Sequence, residues 1–219
     1  MPHEPSHGNS AADVRDFFTP RAAGWDSRFP DDGPAYAAAI ADLGPRPGDA
    51  VLDAGCGTGR ALPALRAAVG PGGTVLGVDL TPAMLDAAVR EGRDGFADLV
   101  LADVARLPLR DGCLDAVFAA GLISHLADPV DGLRELARVV RPGGRLALFH
   151  PVGRAALAAR HGRPLTPDDL RAEPRLRPLL AGAGWRLESY TDEATRFLAL
   201  SVREPGQAGR NGPDRNAQG

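Results

Sequence analysis

The sequence predicts an α/β domain built on a mainly parallel sheet with helices on both faces. Three observations carry that expectation. Short apolar runs alternate with helical patterns from about residue 34 to residue 202, as strands do when helical crossovers join them. The first apolar run enters three alternate glycines, Gly55, Gly57 and Gly59, the composition of a tight strand-to-helix turn. Clusters of glycine and proline, such as Gly44-Pro45 and Pro142-Gly143-Gly144, punctuate the remaining segments.

Taken in order, residues 34–43 read as a helix ended by Gly44-Pro45, and residues 50–53 as a buried strand that leads into the glycines. A helix over 60–69 is closed by the Gly/Pro run 70–73. Residues 74–79 form the second strand. Thr81 is the expected N-cap of the following helix, and Pro82 fits its first turn. Residues 99–102 and 114–119 are the third and fourth strands. Residues 128–140 are a helix stopped by Arg141-Pro142-Gly143-Gly144, and 145–149 the fifth strand. After an Arg- and Pro-rich stretch come a helix near 174–183 and strands at 186–190 and 196–202. Seven strands result.

The chain has 219 residues, of which 44% are hydrophobic and 24% charged, an ordinary balance for one globular domain. That domain is expected over 11–203, between polar tails at 1–10 and 204–219 that have little to bury. The two cysteines, Cys56 and Cys113, exclude a disulfide scaffold, and no Cys/His spacing suits zinc. No metal site is expected. With no apolar run long enough to span a bilayer and no leader-like N-terminus, the expected location is the cytoplasm. A net charge of −3 argues against nucleic acid and anionic membranes as partners. All 25 basic residues are arginine, a compositional bias that makes any single arginine weak testimony to a site.

The glycine turn is where the chemistry concentrates. Backbone amides converge there at a helix N-terminus and suit a polar group. A dinucleotide fingerprint needs G-x-G-x-x-G, yet the last position is Arg60 in one register and Leu62 in the other. A phosphate loop needs lysine, which the chain lacks. Asp53, just before the glycines, would repel a pyrophosphate and attract an ammonium or sulfonium. Asp79 ends the second strand, about 20 residues after Gly59, where an acid accepts ribose hydroxyls. The implied ligand is a nucleoside bearing a cationic, amino-acid-like group.

On these residues the sequence resembles the class I S-adenosylmethionine-dependent methyltransferases, in particular the ubiquinone and menaquinone biosynthesis group. The resemblance lies in Val51-Leu52-Asp53-Ala54-Gly55-Cys56-Gly57-Thr58-Gly59 and in Gly77-Val78-Asp79-Leu80-Thr81-Pro82-Ala83-Met84-Leu85. It continues in Ala102-Asp103-Val104-Ala105-Arg106-Leu107-Pro108, Leu114-Asp115-Ala116-Val117 and Leu136-Ala137-Arg138-Val139-Val140-Arg141-Pro142-Gly143-Gly144. It implies a Rossmann-like seven-stranded sheet, mainly parallel with an antiparallel last strand, and S-adenosylmethionine as cofactor, with S-adenosylhomocysteine as product. By the same resemblance, Asp53 and the backbone of Gly55, Cys56, Gly57, Thr58 and Gly59 would hold the methionine moiety, and Asp79 the ribose. Leu80 and Met84 would pack on adenine, Asp103 would bond its exocyclic amine with Val104 beside it, and Ala119, Ala120 and Gly121 would flank the sulfonium.

Each candidate also has a plainer role. Cys56 reads as a packing residue rather than a nucleophile. His125, after the fourth strand, is either a cleft-lining residue or a general base; His150, directly after the fifth, is a second candidate base, and His161 a weaker substrate contact. Trp25, with Phe17 and Phe18, resembles the N-terminal aromatic segment that covers the cofactor in related enzymes, or simply packs on the sheet. Arg154, Arg160, Arg163, Arg171, Arg175 and Arg177 read as a solvated surface beside Asp168, Asp169 and Glu173. The expected function is methyl transfer to a small-molecule acceptor at O, N or C, with a lid at 11–36 and a substrate-side insert at 150–175. The alternatives are a same-fold enzyme that uses the bound cofactor without methylating, of cyclase or isomerase type, and a degenerate non-catalytic partner subunit. Oligomeric state is not legible.

Overall fold

The computed structural model describes residues 10–28 and 32–205, so the two expected tails lie outside the described residues except at their inner ends. Ser10, at the edge of the N-terminal tail, starts the first helix, α1 (Ala11–Phe18). Its hydroxyl accepts from the Asp13 amide while the Asp13 carboxylate accepts from the Ser10 amide at 2.8 Å, a reciprocal cap. Two short 3-10 turns follow, Thr19–Gly24 and Asp26–Arg28. α2 (Gly33–Leu43) has Pro34 in its first turn and ends on Gly44 at φ 69°, the left-handed position that glycine takes without strain.

The central βαβ run is β1 (Ala50–Ala54), α3 (Leu62–Val69), β2 (Thr74–Asp79), α4 (Pro82–Arg90) and β3 (Asp98–Leu101). β4 (Leu114–Ala120), α5 (Pro129–Val139) and β5 (Val140–His150) extend it, followed by α6 (Arg154–Arg160), α7 (Glu173–Gly182), β6 (Trp185–Glu193) and β7 (Arg196–Arg203). The strands form one seven-stranded sheet in the order β3-β2-β1-β4-β5-β7-β6. All pairs are parallel except those of β7, which runs antiparallel between β5 and β6. Chain order reverses between β1 and β4, which opens a crevice at the carboxyl ends of these strands.

Period-two alternation sends successive side chains to opposite faces. Val51, Ala116, Phe118, Ala147 and Phe149 pack under α2 and α3 with Ile40, Leu62 and Leu65. Their neighbours Leu52, Val117, Ala119, Leu146 and Leu148 pack under α5 and α7 with Leu133, Leu136, Leu176 and Leu180. Trp185 is fully buried on this second face and donates its indole N–H to the Leu133 carbonyl at 2.9 Å.

Three expectations need correction. The helix after the glycines begins at Leu62 rather than residue 60, because the turn itself extends that far. Thr81 does hold the expected N-cap position of α4, with Pro82 in the first turn, but its side chain makes no capping bond; its own amide donates to the Asp79 carboxylate at 2.8 Å. Residues 141–144 do not simply stop a helix: they bulge out of β5, since Leu114 pairs with Val140 while Ala116 pairs with Arg145. The Arg- and Pro-rich stretch contains a helix, α6, that sequence periodicity did not reveal.

Gly153 seats α6 against the sheet. A Cβ built there would lie 1.7 Å from the Glu193 carbonyl oxygen, a backbone atom that cannot yield as a side chain would. Gly153→Ala is expected to cost about 1–3 kcal/mol and to lower the thermal midpoint by several degrees, read by a circular dichroism melt.

Candidate active site

A cleft of about 690 Å³ opens at the carboxyl ends of the strands. Its floor is set by the glycine turn, where Gly55, Gly57 and Gly59 have φ of 68°, 55° and 80°. These values let the chain double back so that the Cys56 amide reaches the Val78 carbonyl at 2.9 Å. Asp79 fixes the turn from the next strand. Its carboxylate accepts the Gly57 amide through one oxygen and the Thr81 amide through the other, both at 2.8 Å.

Asp53 is 1% exposed, and its Oδ2 has no hydrogen-bond partner among the described residues. Burial, and secondarily the neighbouring Asp79 charge, push its pKa up to about 8. Asp79 is also raised by burial, against the opposing effect of the two amides it accepts. A buried carboxyl with an orphaned oxygen at a cleft wall is costly unless a ligand completes it. The complement is a cationic donor, which would restore the carboxylate and its full hydrogen bonding.

The cofactor, base and substrate candidates singled out from sequence line this cleft, Trp25, His125, His150 and His161 included, with two exceptions, Gly59 and Ala119. Gly59 faces away, where a Cβ would meet Leu62 at 2.8 Å and Arg93 at 3.3 Å. Ala119 is likewise not at the cleft; it is buried among the core residues under α5. Asp103 accepts the Ala105 amide at 2.9 Å, which fixes its carboxylate beside Val104. Leu80 and Met84 supply apolar wall nearby. Cys56 is buried, and burial together with Asp53 and Asp79 raises its thiol pKa well above the ordinary value, so it lacks the thiolate a nucleophile needs.

His125 packs edge-on against Phe18, with ring centroids 5.1 Å apart. His150 Nδ1 lies 2.7 Å from the Val152 carbonyl oxygen and 3.1 Å from its amide. Two lone pairs do not face each other at 2.7 Å, so the shorter contact assigns the ring proton to Nδ1 and leaves the lone pair of the neutral ring on Nε2. His161 caps α6 and meets Arg163 at 2.9 Å.

Sequence reasoning missed how the N-terminal segment is fastened over the cleft. The Thr58 hydroxyl donates to Asp26 at 2.6 Å, and Arg93 bridges the Thr58 carbonyl at 2.6 Å and the Asp26 carboxylate at 2.5 Å. Arg60 pairs with Asp32 at 3.4 Å and lies above the Tyr36 ring, while Tyr36 packs edge-on against Phe149 and at a tilt against Phe118. Phe18 and Trp25 pack with Ala22 against Met84 and Ala87 of α4. The only local signals were Tyr36 in an alanine-rich helix and Arg60 beside the glycines. Arg154, expected at a solvated surface, is 9% exposed and held by Asp169 and Asp192; Arg171, half-buried, also pairs with Asp169.

Residues 52–148 match a family described as a methyltransferase domain. A demethylmenaquinone methyltransferase from Mycobacterium sp. (strain KMS) is 35% identical over 172 residues, 77% of this chain and 66% of that protein. The methyltransferase GfsG of Streptomyces halstedii is 40% identical over 114 residues, 50% of this chain and 40% of its own. The chain spans between 34% and 66% of the length of the first curated relatives it matches. In fold, it superposes with a TM-score of 0.71 on the putative methyltransferase solved with the Haloferax volcanii Trm112 activator, at 22% identity and covering 88% of this chain and 98% of that one. Similarity of sequence through the glycine turn and both acidic strand ends, joined to this shared fold, means that the chain belongs to the class I methyltransferase family, whose cofactor is S-adenosylmethionine.

Proposed function

We propose that the protein is an enzyme that passes the methyl group of S-adenosylmethionine to a small-molecule acceptor. The observation that carries this reading is the orphaned Asp53 carboxyl in a cleft that also presents Asp79 and Asp103. Three acids on one side of a pocket suit a nucleoside that brings ammonium and sulfonium charges. When bound, the cofactor supplies an activated methyl: the acceptor's lone pair forms the new bond to carbon in line as the carbon–sulfur bond breaks and its electron pair stays on sulfur.

The chain's own contribution is positioning and exclusion of water. Asp53 and the glycine turn anchor the amino-acid end, Asp79 accepts the ribose hydroxyls, and Asp103 accepts the adenine amine between Leu80, Met84 and Val104. Ala120 and Gly121 leave room at the reacting centre. Trp25 and Phe18, held down through Asp26 and Thr58, close the cleft from above. For an oxygen acceptor, His150 takes the proton on Nε2 while its Nδ1–H stays on Val152, with His125 as the second candidate; a neutral amine needs neither. Specificity lies in residues 11–36 and 150–175, with Trp25, His150 and His161 nearest the acceptor.

The test is turnover with methyl-labelled cofactor and a pool of small phenols, acids and amines. Release of S-adenosylhomocysteine with label in the acceptor is the expected result, and for an oxygen acceptor His150→Ala lowers kcat by about 100-fold or more. Binding of the cofactor with no label transferred to any acceptor would count against the reading.

A further inference from the structure

Apart from the Asp32–Arg60 pair and Asp128, the charges lining the cleft fall in two blocs of opposite sign. Asp53, Asp79 and Asp103 stand at the ends of β1, β2 and β3, on one half of the sheet. The other half lies over β5, β7 and β6, where the segment after His150 crosses and α6 rests on β6. Among the described lining residues this segment contributes five arginines, from Arg154 to Arg175, against only Asp168 and Asp169. β4, with Ala120 and Gly121 at its end, separates the two.

The basic bloc is partly buried: Arg154 and Arg171 are set into the wall, while Arg160, Arg163 and Arg175 are exposed at the rim, as expected from the sequence. Arg154 is buried in the cleft wall between Asp169 at 3.3 Å and Asp192 at 3.2 Å, and its backbone amide donates to Asp192 at 2.8 Å. Arg171 pairs with the same Asp169 at 3.1 Å, and the Tyr190 hydroxyl donates to the Arg171 carbonyl at 2.8 Å. The Asp169 and Asp192 carboxylates are thus matched by two arginines. Arg160, Arg163 and Arg175 add positive charge at the same end of the cleft, offset only by Asp168, which sits 3.8 Å from Arg175. The surplus is cationic, and it faces the pocket that His150 also lines.

We propose that the methyl acceptor is an anion, a small molecule whose carboxylate or phosphate is held at the arginine end of the cleft. This rests on the methyl-transfer reading and specifies its substrate class. Guanidinium forks match either oxyanion in two-point contact. Charge also orients such a molecule. Its anionic end is drawn away from the three strand-end acids, which leaves its nucleophile at the β4 end, opposite the methyl group. A neutral acceptor gains nothing from this separation, and a cationic one is turned the wrong way round.

The experiment uses the full chain in two steps. S-adenosylhomocysteine is titrated first, by calorimetry, and the saturated protein is then titrated with benzoate, phenyl phosphate and the neutral benzamide. The expected result is that at least one anion binds tenfold or more tightly than benzamide, that added salt weakens it, and that Arg160→Glu/Arg175→Glu removes the preference while S-adenosylhomocysteine affinity stays within twofold. Whichever anion leads identifies carboxylate or phosphate as the group. If S-adenosylhomocysteine binds but benzamide matches both anions, or the charge reversal leaves the preference intact, the anionic acceptor is overturned and methyl transfer stands. If S-adenosylhomocysteine itself fails to bind, both fall.

Discussion

Asp53→Asn weakens S-adenosylmethionine binding by about 10- to 100-fold, the loss expected when a buried charge-assisted hydrogen bond becomes a neutral one, and stabilises the ligand-free protein at neutral pH. The second effect follows from the first site's electrostatics. In the free fold the Asp53 carboxyl titrates near 8, against an ordinary 3.8. Between these values the folded chain holds a proton that the unfolded chain has released, so stability falls as pH rises through that window. Asparagine removes the dependence, and the gain over the parent grows from about pH 4 to about pH 8. Cofactor binding reverses the preference, because an ammonium at Asp53 favours the carboxylate. Binding below pH 8 is therefore expected to release close to one proton and to tighten as pH rises. Calorimetry in buffers of different ionisation enthalpy measures the proton directly, and the asparagine variant should show none.

Asp79→Ala is expected to abolish measurable cofactor binding and to destabilise the fold by roughly 2–4 kcal/mol. Each of its carboxylate oxygens accepts one backbone amide, Gly57 and Thr81, and a buried N–H left without an acceptor costs about 1–3 kcal/mol. Relief of its repulsion with Asp53 offsets part of that. Asp79→Asn keeps one acceptor oxygen and should retain roughly half of the stability. Thermal melts beside S-adenosylhomocysteine titrations separate the two losses, since a purely structural role would not remove binding in a variant that still folds.

The parts of this molecule written locally in the chain were legible before the fold was seen. β1, the glycine turn and β2 lie within 30 residues, and their apolar runs, glycines and terminal acids each follow from a local requirement. The β7 insertion matched the arrangement implied by the resemblance. What escaped is non-local. The Asp26 link to Thr58 and Arg93 joins residues 32 and 67 positions apart, and no periodicity announces it. Arg154 looked like one more arginine in a lysine-free chain because Asp192, the carboxylate that shares it with Asp169, follows 38 residues later on β6. Thr81 was legible as the N-cap position from Pro82 beside it; that its hydroxyl makes no capping bond, while its own amide donates to Asp79 two residues earlier, was not.

The most direct measurement is a calorimetric titration of the full chain with S-adenosylhomocysteine, with NAD as the competing nucleoside ligand. Saturable one-to-one binding in the micromolar range, absent for NAD and lost in Asp79→Ala, is the predicted result. No saturable heat with S-adenosylhomocysteine, or equal binding of NAD, would contradict the assignment of the cleft.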